Sequence, residues 1–132
     1  MSHSDPISDF LTRVRNAGNA QLRFVDIHAS KIIISILDIL KREGFIKDFA
    51  VKEENGRKLA RVFLRYDAER RPLIRKAVRM SKPGRRLYIG FDQLKPVEGG
   101  IGKAILTTHK GILTSEEARQ HRVGGEFICY IS

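Results

Sequence analysis

The sequence predicts an α+β fold in two small packed domains, and three observations carry that prediction. Apolar residues recur at helical spacing only in the first third of the chain, an Asn55-Gly56 pair separates two strand-like runs, and the remainder alternates short apolar runs with turn residues. The N-terminal domain is expected as α-β-α-β-β over residues 1–66, followed by a polar linker at 67–72. The C-terminal domain, residues 73–132, is expected to be mostly antiparallel β with one short helix. With 132 residues and 42% hydrophobic content, the chain can bury a core of this size.

Asp5-Pro6 is a helix start, and Ile7, Phe10, Leu11 and Val14 then share one face, so a helix is expected from Pro6 to Ala17, broken by Gly18-Asn19. An extended piece through Phe24, Val25 and Ile27 leads to Ser30, a cap for a second helix whose apolar face is Ile33, Ile36, Leu37 and Leu40. Gly44 stands where a left-handed C-terminal residue is wanted. Phe45 to Lys52 and Lys58 to Tyr66 form a hairpin through Glu54-Asn55-Gly56-Arg57, because Asn-Gly suits the positive φ angles of a type I′ turn. In its second strand Val62, Leu64 and Tyr66 share a face while Arg61 and Arg65 point away. Further strands are expected near Leu73 to Met80, Arg86 to Phe91, Ile101 to Thr108, Gly111 to Leu113 and Gly125 to Ile131. Thr114-Ser115-Glu116-Glu117 has capping-box spacing and should start a helix that ends near His121.

The formal net charge is +10, which draws polyanions by long-range attraction and counterion release and makes nucleic acid the leading partner class. No basic amphipathic helix or lipidation signal points to a membrane surface, and the most apolar run, Ile32 to Leu40, is far too short to span one. The start of the chain lacks the pattern of a secretory signal, and the sole cysteine, Cys129, precludes an internal disulfide, so a cytosolic protein is expected.

From Arg70 to Arg86 eight of 17 positions are Lys or Arg and none is acidic, and the densest part, Lys82-Pro83-Gly84-Arg85-Arg86, falls on a turn that phosphate can reach. If Leu87 and Ile89 face the core, Tyr88 faces outward beside arginines, as a platform for a base or ribose. Thr107-Thr108-His109-Lys110-Gly111 is a hydroxyl-rich loop closed by Lys-Gly, suited to base edges, 2′-hydroxyls and phosphates. Gly124-Gly125-Glu126 either shapes a strand entry or leaves room for RNA.

Enzymatic readings fare worse. Gly99-Gly100-Ile101-Gly102-Lys103-Ala104 lacks the first glycine and the Ser/Thr of a phosphate-binding P-loop, with Val97 and Ala104 in those places. His3, His28, His109 and His121 have no metal-ligand spacing, so no metal, cofactor or small-molecule substrate is expected. A basic DNA-binding protein and a small nuclease using His109 and His121 are the rival classes.

At these segments the chain resembles bacterial-type small-subunit ribosomal protein eight, the universal uS eight family, over essentially its whole length. The matching stretches are Asp5-Pro6-Ile7-Ser8-Asp9, Leu11 to Ala17, Ser81 to Arg86, Gly102 to Thr114, Glu117-Ala118-Arg119 and Gly124-Gly125-Glu126. The resemblance implies a non-catalytic scaffold protein whose C-terminal half holds a helix in the central domain of the small-subunit ribosomal RNA. It also implies neighbouring small-subunit proteins such as numbers five and twelve, and a monomer outside the ribosome. The family's loop is typically Ser-Thr-Ser, so Thr107 keeps the hydroxyl while His109 departs. Tyr88, Lys110 and Gly124 to Glu126 match RNA-facing segments, Gly111 is kept as the close of the loop, and Ser81, Lys82, Arg85 and Arg86 of the basic turn with Lys31 and Arg57 are added from charge and position.

Overall fold

The computed structural model of this chain describes residues 5–94 and 102–132. Expectations that fall on 95–101, including Gly99, Gly100 and the start of a strand at Ile101, lie outside the described residues, as does His3. Two compact units are found: Pro6–Arg75, and Lys76–Ser132 together with Asp5.

In the first unit α1 (Pro6–Asn19), β1 (Phe24–His28), α2 (Lys31–Arg42), β2 (Ile46–Glu54) and β3 (Arg57–Leu64) follow the expected α-β-α-β-β order. The sheet is antiparallel with order β1-β3-β2. Both helices exist because their apolar faces are buried: Phe10, Leu11 and Val14 from α1, and Ile33, Ile36, Leu37 and Leu40 from α2, join Ile27, Val62 and Leu64 of the sheet. Ser30 caps α2 by accepting from the Ile33 amide at 3.3 Å, and Gly44 takes φ +82° just beyond it. The hairpin turn holds Asn55 at φ +51° and Gly56 at +76°, the pair of left-handed residues that a type I′ turn needs. Helix α1 does not stop at Gly18. It runs on to Asn19, and Gly18 is buried where an added Cβ would meet Pro72 at 3.1 Å.

The second unit contains β4 (Ala77–Arg79), β5 (Tyr88–Ile89), β6 (Lys103–Thr108), β7 (Gly111–Thr114), α3 (Ser115–Gln120) and β8 (Gly125–Ile131). Its antiparallel sheet runs β4-β8-β6-β7, and β5 also pairs with β8. The expected strands at 73–80 and 86–91 shorten to β4 and β5, and Phe91–Gln93 forms a 3₁₀ turn instead. Both lie along one edge of β8, and the chain between them leaves the ladder to make a turn closed by Lys82 and Arg85. Thr114 caps α3 with the full capping box, its hydroxyl oxygen accepting from the Glu117 amide at 3.2 Å. Ala118 of α3, Val123 and Leu94 pack with Leu106, and Ile89, Ala104 and Leu113 join them, so this face of the sheet is covered.

Candidate nucleic-acid interface

The face of the second sheet turned away from α3 carries the residues singled out from sequence. Tyr88, Glu126, Thr107 and Ile112 are successive Cα partners across β5, β8, β6 and β7. Partners in an antiparallel ladder project to one side, so the four side chains form a row. Tyr88 is 70% exposed, as an outward ring should be, while Leu87 and Ile89 are half-buried. Arg86 lies two residues before Tyr88 on the same side and donates to the Glu126 carboxylate at 2.9 Å. The Thr107 hydroxyl and the Glu126 Oε1 have no hydrogen-bond partner among the described residues, and both stand on this half-exposed row.

The 107–111 segment makes a tight turn at one end of the row. His109 and Lys110 are exposed at its tip, and Gly111 takes φ +110°, a conformation that disfavours any side chain. Thr108 is committed to the turn: its hydroxyl donates to the Gly111 carbonyl at 2.9 Å and accepts from the Lys110 amide at 3.0 Å. Of the two threonines, Thr107 is the one whose hydroxyl has no partner among the described residues.

Ser81 corrects the sequence reading, which placed it among contact residues. It is fully buried, donates to Glu126 at 2.5 Å and accepts from the Leu87 amide at 3.1 Å. It therefore ties the base of the Lys82–Arg85 turn to β8. Burial raises the Glu126 carboxyl, but the hydrogen bonds from Ser81 and Arg86 and the charges of Arg86 and Arg79 outweigh it and hold the group below its ordinary value, ionised on this face.

For the glycine pair the structure shows the strand-entry role. A Cβ on Gly124 would lie 2.3 Å from the Ile89 carbonyl oxygen, and one on Gly125 would lie 2.1 Å from the Thr107 carbonyl oxygen. What these glycines make room for is protein backbone, which lets β5 and β6 close on β8. Gly102, in the stretch read against the P-loop pattern, makes room for a side chain instead: its Cβ would fall 1.9 Å from the Tyr130 hydroxyl.

The basic run of 70–86 is not one surface stripe. The Arg79 side chain is only 8% exposed and donates to Asp5 at 3.1 Å and to the Ile128 carbonyl at 2.9 Å. Arg71 and Arg75 both pair with Asp67, at 3.1 and 3.2 Å. Lys82 and Arg85 are exposed with no ion pair among the described residues, so the turn keeps its cations. Lys31 and Arg57 belong to the first unit, where both are exposed, Lys31 at the first position of α2 and Arg57 at the hairpin turn. Ile112 was missed, since alone it reads as a plain strand residue; its register opposite Thr107 is what places it in the row.

Residues 5–132 match the family described as Ribosomal protein S8. Among similar proteins, the small ribosomal subunit protein uS8 of Geobacter metallireducens is 50% identical, covering 99% of each chain. That of Thermosipho africanus is also 50% identical, over 97% of this chain and 98% of its own. That of Kosmotoga olearia is 48% identical over the same shares. With a family match across nearly all of its length and relatives this similar from end to end, the chain belongs to the ribosomal protein S8 family.

Proposed function

We propose that this chain is a structural, non-catalytic constituent of the small ribosomal subunit in the cytoplasm that binds the central domain of the small-subunit ribosomal RNA through the open face of its C-terminal sheet. Membership of a ribosomal protein family and a net charge of +10 support the class of partner. The observation that carries the site is the row Tyr88, Glu126, Thr107, Ile112, with an exposed ring at one end and the Thr107 hydroxyl beyond the Glu126 carboxylate.

Each part has a chemical task. Tyr88 stacks on a base or ribose. The Thr107 hydroxyl and the Glu126 Oε1 hydrogen-bond to base edges and 2′-hydroxyls, groups that an irregular RNA helix offers in its shallow groove. Lys82, Arg85, Lys110 and His109 meet the backbone, Arg86 serves both RNA and Glu126, and Lys31 and Arg57 add phosphate contacts from the N-terminal unit. Ser81, Thr108, Gly111, Gly124 and Gly125 shape the surface. Neighbouring small-subunit proteins, five and twelve among them, complete the assembly.

Filter binding to a fragment of central-domain RNA tests this reading. Tyr88→Ala should weaken binding by roughly tenfold, the cost of one stacked base, with unchanged circular dichroism. Unaltered affinity would remove Tyr88 from the interface, and a chain that sediments apart from the small subunit in a sucrose gradient would end the proposal.

A further inference from the structure

The three-stranded sheet of the N-terminal unit also has an open face. Ala60, Val62 and Ile27 point into the helix-covered core, so their neighbours Phe24, Asp26, Phe63 and Arg61 project the other way. Phe24 and Phe63 are Cα partners with ring centroids 6.1 Å apart, and Phe24 is 37% exposed. The Arg61 guanidinium lies 4.0 Å from the Phe24 ring centroid, held there by two hydrogen bonds to Asp26 at 2.9 and 3.1 Å.

Phe63 also lines a cleft of about 890 Å³ whose rim carries Arg23, Lys47, Arg65 and Arg70. The acid among its lining residues, Asp48, is paired with Lys41 at 3.0 Å, which leaves the cleft strongly cationic. Its mouth is built on strained backbone: Gln21 and Arg70 both take left-handed φ, +58° and +64°, and the Gln21 side-chain amide donates to the Arg70 carbonyl at 3.3 Å.

From this geometry we infer that the open sheet face and adjoining cleft form a second RNA site, which packs an unpaired base against the tilted Phe24–Phe63 pair, its rings 59° apart, while Arg23, Lys47 and Arg70 hold the flanking phosphates. A nucleotide supplies both halves of that chemistry, a flat π surface and an anion one sugar away. An acidic peptide would satisfy the cations but leave the rings uncovered. Asp26 does not oppose the strand, because Arg61 holds it in a bidentate pair. The site is separate from the Tyr88 row and does not depend on the role given to it.

The test uses the full chain with 5′-labelled single-stranded decaadenylate RNA, by filter binding and by ultraviolet crosslinking with peptide mapping. Crosslinks at Phe24 and Phe63 are expected, as is a loss of roughly tenfold in affinity for Phe24→Ala. Arg70→Glu, an exposed change that keeps the rings, should weaken binding and flatten its salt dependence. Tyr88→Ala should leave the Phe24 and Phe63 crosslinks in place, so failure of the C-terminal reading is scored separately. Unchanged affinity in both N-terminal variants overturns the inference, as do crosslinks confined to Tyr88 and 107–111. Equal displacement by polyglutamate overturns it too, in favour of a site for an acidic polypeptide.

Discussion

Replacing Ser81 with alanine should cost this protein stability out of proportion to the single atom removed. The Ser81 oxygen is fully buried and makes two hydrogen bonds, one from the Leu87 amide at 3.1 Å and one to the Glu126 carboxylate at 2.5 Å. A neutral hydrogen bond contributes about 1 kcal/mol, and one to a charged group about 1.5–3 kcal/mol. Alanine fits the space but leaves a buried amide unpaired and strips Glu126 of one donor, so a loss of about 2–4 kcal/mol is expected, with a fall in Tm on the order of 10 °C. Urea denaturation at neutral pH measures it. The pH dependence gives a second check. Because the folded carboxyl of Glu126 titrates below its ordinary value of 4.5, its contribution is complete above that value and is lost as pH falls through the lower folded value. The gap between wild type and variant should therefore be constant above pH 4.5 and narrow only on the acid side. A loss under about 0.5 kcal/mol, the ordinary scatter of surface substitutions, would refute the reasoning. So would a gap that ignores acid.

Three further outcomes separate framework from surface. Gly102→Ala forces a methyl to within 1.9 Å of the Tyr130 hydroxyl and 2.4 Å of its ring carbon Cζ and should destabilise by about 1–3 kcal/mol in thermal melts. Arg79→Ala removes a nearly buried guanidinium together with its bonds to Asp5 and the Ile128 carbonyl and should cost about 3 kcal/mol, whereas Arg85→Ala should leave Tm within a degree or so and lower only RNA affinity and its salt slope. Burial pushes the Cys129 thiol up to about 12, so a thiol reagent at pH 8 should label it only as fast as the chain unfolds, with urea accelerating the reaction; rapid labelling of the native chain would contradict its burial.

Local features of this fold were legible because they depend on local chemistry. The Ser30 and Thr114 caps, the Asn55-Gly56 turn and the apolar face of α2 are each set within a few residues, and each stands in the structure. The outward ring of Tyr88 followed from strand alternation alone. Strand extent did not follow. Residues 73–80 and 86–91 carry strand-like composition, but among the described residues three of the first and two of the second form regular ladder pairs with β8, while Lys76, Met80 and Leu87 make further backbone links around them. Candidate residues were legible by chemical type, but which of them are engaged inside the protein was not. Ser81 and Thr108 have the same chemistry as Thr107, yet Leu87, Glu126, Lys110 and Gly111 engage the first two, while the third has no partner among the described residues.

What the sequence by itself determined is the set of local elements and their order, the partner class implied by a +10 charge, and the candidate residues of the C-terminal surface. Only the tertiary structure decided which of those residues face outward together. Cross-strand register joins Tyr88, Glu126 and Thr107 over long separations, and burial beside Asp5 withdraws Arg79 from a run of cations that looked uniform. The physical reason is the same in both cases. Periodicity and capping act over one turn or one strand, whereas solvent exposure and the partner of a charge depend on chain segments far apart in sequence, which only the folded packing brings together.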